Sequence, residues 1–455
     1  MQSTGRAALL PVLFFFAPAL IAWQSEELAL QSKHAKELMA AGKFEEAIPI
    51  YKRLTQAAPG NPGLLLNLAL AEHMAGHERE AIPHFEAVLK TQPALAPALL
   101  SLAAARLALN QPEQAAEQYR KLTEISADDS RAWYGLGKSY EAIATDAFDR
   151  LSKANPRSPF VAALVADTRV HARRYSEALM LYQEALKQAP NLHGVHVALA
   201  EIYRKTGHSD WAEAEDSKER ALPAADCAAH PAECQFVAGH DLQALHLPRT
   251  PSPEALYWRA KAANELALQA FFRLGQLPAS VEFHQLQAEI ARNQNQHMQS
   301  VKEWRAALDL APGDPRLEQE LAVSLFLAKD FKAALEAAAG PLKRNPRSPE
   351  LNFVMGDSWL RLEEPEKAAP YLEAALAADP KLLEADASLG LALARLGKYA
   401  EAVRHLEKSL ELDEDGSLHY QLARAYQAAG SGEKARAAMA QYQEILKRKK
   451  LAPPQ

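Results

Sequence analysis

Gly42-Lys43-Phe44-Glu45-Glu46-Ala47, followed by Tyr51, Leu54 and Pro59, decides the fold. A turn residue comes first, a small residue follows, then an aromatic or large apolar residue, then a proline. Gly76, Ala81, Phe85, Val88 and Pro93 repeat that order, and so do Gly397, Ala402 and Leu406. The small residue recurs at Ala47, Ala81 and Ala115, then at Ala178 and Ala212. It recurs again at Ser300, Ala334, Ala368, Ala402 and Ala435, always at steps of 34 or 33. Self-similarity at that period marks an array of helical repeats.

Each unit reads as two short helices. The first carries large apolar residues at helical spacing, as in Leu65, Leu68 and Ala69. A Gly or Asn ends it, because a left-handed C-cap suits those residues. The second helix crosses the first closely, so an Ala stands at the crossing. Tyr51, Phe85 or Tyr119 then fills the gap to the next unit, and proline stops the helix. One such hairpin cannot bury its own apolar face; a stack of them can.

Trp133, Leu136, Gly137 and Tyr140 within Ser130–Tyr140 sit at the four helix-A positions of a known repeat. With the recurring pattern over most of residues 28–445, the chain resembles the tetratricopeptide-repeat family. The resemblance implies an all-α fold: a right-handed superhelical solenoid of stacked antiparallel helix pairs. Family membership sets packing, not a partner.

The rhythm slips twice. After Tyr140 no turn follows, and helical spacing continues through Ile143, Phe148 and Leu151, so one long helix is expected over 130–155. A second long helix is expected over 254–274. Ala147, Phe148, Arg150 and Leu151 match Ala270, Phe271, Arg273 and Leu274 at a constant offset of 123. The inference is a larger duplication: an N-terminal array over 23–222 with the long helix near 130–155, and a C-terminal array over 254–447 opened by the long helix 254–274, with a short tail at 448–455. Residues 223–253 between them hold five prolines and both cysteines, an irregular insertion.

Residues 1–22 differ from the rest. Arg6 precedes an uninterrupted apolar run, Ala7–Ile21, and Ala22 offers a small residue for cleavage. The run is short of the ~20 residues a spanning helix needs. It reads as a secretory signal peptide, with an uncleaved N-terminal membrane anchor as the alternative. No other segment approaches a membrane span. The chain lacks an Asn-x-Ser/Thr sequon, which favours a bacterial exported protein, periplasmic or secreted. Of its 455 residues 48% are hydrophobic and 24% charged, a soluble balance. A net charge of −6 gives no general pull toward nucleic acid.

Cys227 and Cys234 are the only cysteines, and an even pair in an exported chain implies a disulfide. A metal reading would draw on His230, between them, with His240 and His246 after them. That spacing matches no common structural-zinc pattern, so neither metal nor cofactor is expected. No phosphate loop, nucleophile elbow or zinc-peptidase motif appears, and an enzyme ranks last among the readings.

The groove is the remaining candidate. In the family, helix-A positions facing the concave side hold the ligand. Here they are Leu66, Leu70, Leu100, Ala104 and Leu107, an apolar strip, then Tyr134 and Lys138, and further on Phe353, Asp357, Tyr420 and Arg424. The basic clamp of family members that hold acidic chaperone tails is missing: Asn67 matches, but Ser32, Lys36, Pro97 and Ser101 fill the other places. The expected function is a scaffold for a protein or peptide partner. The alternative is a structural spacer in an envelope assembly for secretion or polysaccharide export, which needs no apolar strip.

Overall fold

The computed structural model describes residues 17–246 and 251–451, with side chains over 27–246 and 251–448. The signal peptide expected over 1–22 lies outside the described side chains, as does most of the 448–455 tail. Among the described residues there are α-helices and no strand, and the chain divides into two compact units, Met1–Pro278 and Ala279–Gln455. No described helix is long and apolar enough to cross a membrane.

In the first unit, α1 (Ala17–Ala40) pairs with α2 (Phe44–Ala57), α3 (Pro62–Met74) with α4 (Glu78–Thr91), and α5 (Ala96–Ala108) with α6 (Pro112–Ile125). The unbroken α7 (Ser130–Ala154) follows. Two more pairs come next: α8 (Pro159–His171) with α9 (Tyr175–Gln188), and α10 (Val195–Lys205) with α11 (Ser209–Arg220). The insertion then forms short α12 (Pro231–Val237) and α13 (Asp241–Ala244), and long α14 (Pro253–Gly275) closes the unit.

The second unit is five pairs. They are α15 (Val281–Asn293) with α16 (His297–Leu310), α17 (Pro315–Leu327) with α18 (Phe331–Arg344), and α19 (Pro349–Arg361) with α20 (Pro365–Ala378). Then α21 (Leu383–Arg395) pairs with α22 (Tyr399–Lys408), and α23 (Ser417–Ala428) with α24 (Gly432–Leu451).

The small residue of the period is the crossing point. Ala47, Ala81, Ala115, Ala178, Ala334, Ala368 and Ala402 are each 0% exposed, as is Ser300. A larger side chain there would push the helices apart, and close-packed interiors give little. The turn after each first helix needs a left-handed residue. Gly42 and Gly76 supply it with φ of 71° and 82°, and Asn110 and Asn295 with 56° and 58°. Arg173, Lys329 and Glu363 adopt the same φ without that freedom. Side-chain caps start many first helices. The backbone N–H groups of Gly63 and Leu64 donate to Asn61, and those of Val161 and Leu351 donate to Ser158 and Ser348.

Polar clips join the two helices of several repeats. His196 bonds Glu215 at 2.6 Å, His284 bonds Glu303 at 2.8 Å and His405 bonds Asp386 at 2.6 Å, each pair separated by 19 residues. Burial raises Glu215's carboxyl, but the hydrogen bonds from Lys218 and His196 outweigh it and hold the pKa below the ordinary value.

The two long helices, α7 and α14, pack against each other antiparallel. Ile143 and Ala144 share a cluster with Ala263, Ala267 and Ala270, while Ala147 and Leu151 share the next with Leu256 and Ala260. The sequence reading heads the C-terminal array with the second of these helices. By packing it belongs to the first unit. The reason is that α7 runs straight on, so its repeat has no second helix of its own, and α14 fills that place. The clearest sign is a glycine. Gly356 and Gly390 face Leu372 and Leu406, each on its own repeat's second helix, whereas Gly137 faces Phe271 on α14.

Candidate functional site

Successive first helices touch one another: α3 with α5, α5 with α7, and likewise α17 with α19, α19 with α21 and α21 with α23. The second helices make no comparable contact among the described residues. Within each unit the first helices therefore line the inner side of the curve.

Of the residues expected on that side, Leu66 and Leu70 lie on α3, Leu100, Ala104 and Leu107 on α5, and Tyr134 and Lys138 on α7, all half-buried. Leu66 and Leu70 lean on Ala69, Phe85 and Leu102. Leu100 and Leu107 lean on Ala103, Tyr119, Leu136 and Tyr140. The strip thus belongs wholly neither to the core nor to solvent. Its leucines are partly covered and leave apolar surface open. Lys138 pairs with Glu141 at 2.6 Å. Because α14 takes the second-helix place beside α7, it completes the repeat.

In the second unit the candidate residues do not form one surface. Asp357 is 2% exposed, with its carboxylate accepting from Ser388 at 2.6 Å and Arg361 at 3.1 Å. It is a structural link between α19 and α21, which corrects its place among the partner-binding residues: an inward turn toward Ser388 satisfies it without a ligand. Phe353 is half-buried against Phe326, ring centroids 5.6 Å apart. Tyr420 is exposed beside Tyr442 at 5.4 Å, with the Arg424 guanidinium 6.0 Å from its ring.

A second polar locus lies behind the α7–α14 pair. Tyr182 donates to Asp167 at 2.5 Å and Lys261 donates to the other Asp167 oxygen at 3.0 Å, which ties α8 and α9 to α14. Burial, then the Asp167 charge, push the Tyr182 hydroxyl far above its ordinary range. Burial likewise holds Tyr257 high and pushes Tyr119 up to about 12. These groups stay protonated and serve packing. The signal for the histidine clips, a His and an acid 19 apart across one repeat, is visible in the sequence only once the period is known.

The insertion is held at several points. Cys227 and Cys234 are disulfide-bonded. Phe236 packs on Trp258 with centroids 5.2 Å apart, and Arg259 of α14 binds both Glu113 and the Leu245 carbonyl. His240, by contrast, is exposed, and its ring bonds Gln235 at 3.1 Å.

Tetratricopeptide-repeat family models match residues 32–98, 72–138, 254–383 and 387–415. Among curated proteins, the small glutamine-rich tetratricopeptide repeat-containing protein 2 of Mycosarcoma maydis is 34% identical over 86 residues, which are 19% of this chain and 24% of that protein. The chain thus spans about a quarter of that relative. Among solved structures, MamA 41-end from Desulfovibrio magneticus RS-1 is 18% identical, covering 38% of this chain and 97% of that one at a TM-score of 0.34. A further MamA crystal structure is 17% identical, covering 38% and 98% at 0.33.

Proposed function

Because the chain belongs to the tetratricopeptide-repeat family, we propose that it is an exported, non-catalytic scaffold whose first unit binds a protein or peptide on its inner side. The observation that carries this is the half-open apolar strip of Leu66, Leu70, Leu100 and Leu107. Apolar surface left open costs solubility and contributes little to the fold, so a partner's apolar side chains are its natural complement. An amphipathic helix or an extended segment with spaced apolar anchors fits the strip. Tyr134 and Lys138 extend it with an aromatic ring and a charge. The disulfide supports export, since such bonds persist in oxidising compartments.

The test is peptide display against the full chain, followed by the double variant Leu66→Glu with Leu100→Glu. Selected peptides are expected to share apolar anchors and to bind the variant at least about tenfold more weakly, a loss of 1.4 kcal/mol or more. The variant's melting temperature should fall less than for a fully buried leucine such as Leu102. Unchanged peptide affinity would remove the strip as the site. A collapse of the fold would assign these leucines to the core.

A further inference from the structure

Three side chains from the insertion and α14 converge on one cavity. His230 directly precedes α12, Glu233 lies in its first turn, and Glu254 lies in the first turn of α14. Their ligand-capable atoms all lie within 4.8 Å of one another. The three line a cavity of about 450 Å3 together with Ser252, His246 and Trp258.

Two carboxylates meet there. Glu233 is 8% exposed, and its ion-pair partner is His193 at 2.8 Å. Glu254 pairs with His230 at 2.7 Å. Among the described residues no Lys or Arg pairs with either carboxylate. At His284–Glu303 one His meets one acid, and at His405–Asp386 Lys408 lies 3.9 Å from the same carboxylate. Here two such pairs meet in one cavity. Neither carboxylate has a fixed cation beside it, and a buried carboxylate without one is costly. The Trp258 indole N–H, buried beside them, has no acceptor among the described residues.

We propose that His230, Glu233 and Glu254 bind one divalent cation of the zinc class. One imidazole nitrogen and two carboxylate oxygens are ligands zinc accepts, and three protein ligands leave a position open to water or a further donor. His193 supports the site from outside by bonding Glu233, the way outer partners orient a ligating carboxylate. The cysteines contribute as a clasp. Their bond closes the loop that contains both His230 and Glu233, which limits how far those two ligands can separate. Such an array differs from a cysteine-plus-histidine site: the third donor comes from α14.

The experiment uses the tag-free full chain with its disulfide intact, stripped with chelator and titrated with ZnCl2, MnCl2 and CaCl2 by calorimetry. Zinc is expected to bind one to one, more tightly than calcium, and to raise the melting temperature. Glu254→Gln and His230→Asn, both at part-exposed positions, should each weaken zinc by at least about tenfold and abolish the thermal shift. His405→Asn, at a single pair far along the chain, should leave zinc binding unchanged. No uptake, uptake indifferent to both site variants, or a preference for calcium would each overturn the proposal.

Discussion

Gly137 on α7 lies so close to the Phe271 ring on α14 that a Cβ at residue 137 would overlap it. The ring stands where a second helix of the same repeat stands elsewhere: Gly356 meets Leu372, and Gly390 meets Leu406. A distant helix thus completes the fourth repeat. Gly137→Ala is expected to destabilise the first unit by about 1–3 kcal/mol through overpacking. Combined with Phe271→Ala, the loss should be less than the sum of the two single losses, because the second change removes the obstacle. Denaturant titration of the four proteins measures this. Additive losses would mean the two positions are not in contact.

Lys329 takes φ 62° at the turn between α17 and α18, and its side chain is exposed. A left-handed residue with a Cβ costs roughly 1–2 kcal/mol, against which glycine's extra unfolded freedom must be set. Lys329→Gly should therefore stabilise the second unit by about 0.5–1 kcal/mol. Lys329→Ala should not. Equal effects of the two substitutions would show that the lysine side chain, not its backbone, is what matters.

These turns also mark how far the sequence can be read. The period is legible because each Ala at a crossing must be small, and Ala81 or Ala368 shows that constraint on the face of the chain. Gly76 and Asn110 announce their turns. Lys329 and Glu363 do not, because there the packing of the flanking helices imposes a conformation that local preference resists. The pairing of α7 with α14 is hidden for a different reason. Helical periodicity shows that each has an apolar face but not which distant face it meets. The unfilled place opposite Gly137, together with the repeated Ala-Phe-x-Arg-Leu, is the trace it leaves. Asp357 shows the limit of register alone: its position on the helix points to the inner side, and Ser388 draws it into the core. In the insertion, cysteines and histidines draw attention by composition, while Glu254 lies outside the loop and joins His230 only in three dimensions.

Burial pushes the Tyr119 hydroxyl up to about 12. In the unfolded chain it ionises near 10. The protonated folded form is therefore favoured fully below pH 10, and that contribution is lost as pH rises from 10 through 12. At pH 11 the loss from this group is of the order of 1 kcal/mol. Tyr119→Phe should blunt the fall in melting temperature between pH 9 and 11 relative to the parent chain. Parallel curves for both proteins would exclude Tyr119 from the alkaline response.

Intact mass after expression in a secretory host should show loss of about the first 22 residues, as Arg6 followed by Ala7–Ile21 implies. Full-length protein recovered in the membrane fraction would favour the uncleaved anchor.

Cys227 and Cys234 close a short loop at the start of α12, and Phe236 of that helix packs on Trp258. Denatured exported protein without reductant should therefore show no free thiol. Such a bond acts mainly by limiting the unfolded loop, worth about 2–3 kcal/mol at this loop length. Replacing both cysteines by serine should release that constraint locally. Hydrogen exchange of the α12 amides is expected to quicken accordingly, while exchange in the second unit stays as it was. The same variant bears on the cation site, since His230 and Glu233 lie within the loop: its zinc affinity should fall although both ligands remain. Unchanged α12 exchange would show that Phe236, Arg259 and the surrounding packing hold the insertion without the bond.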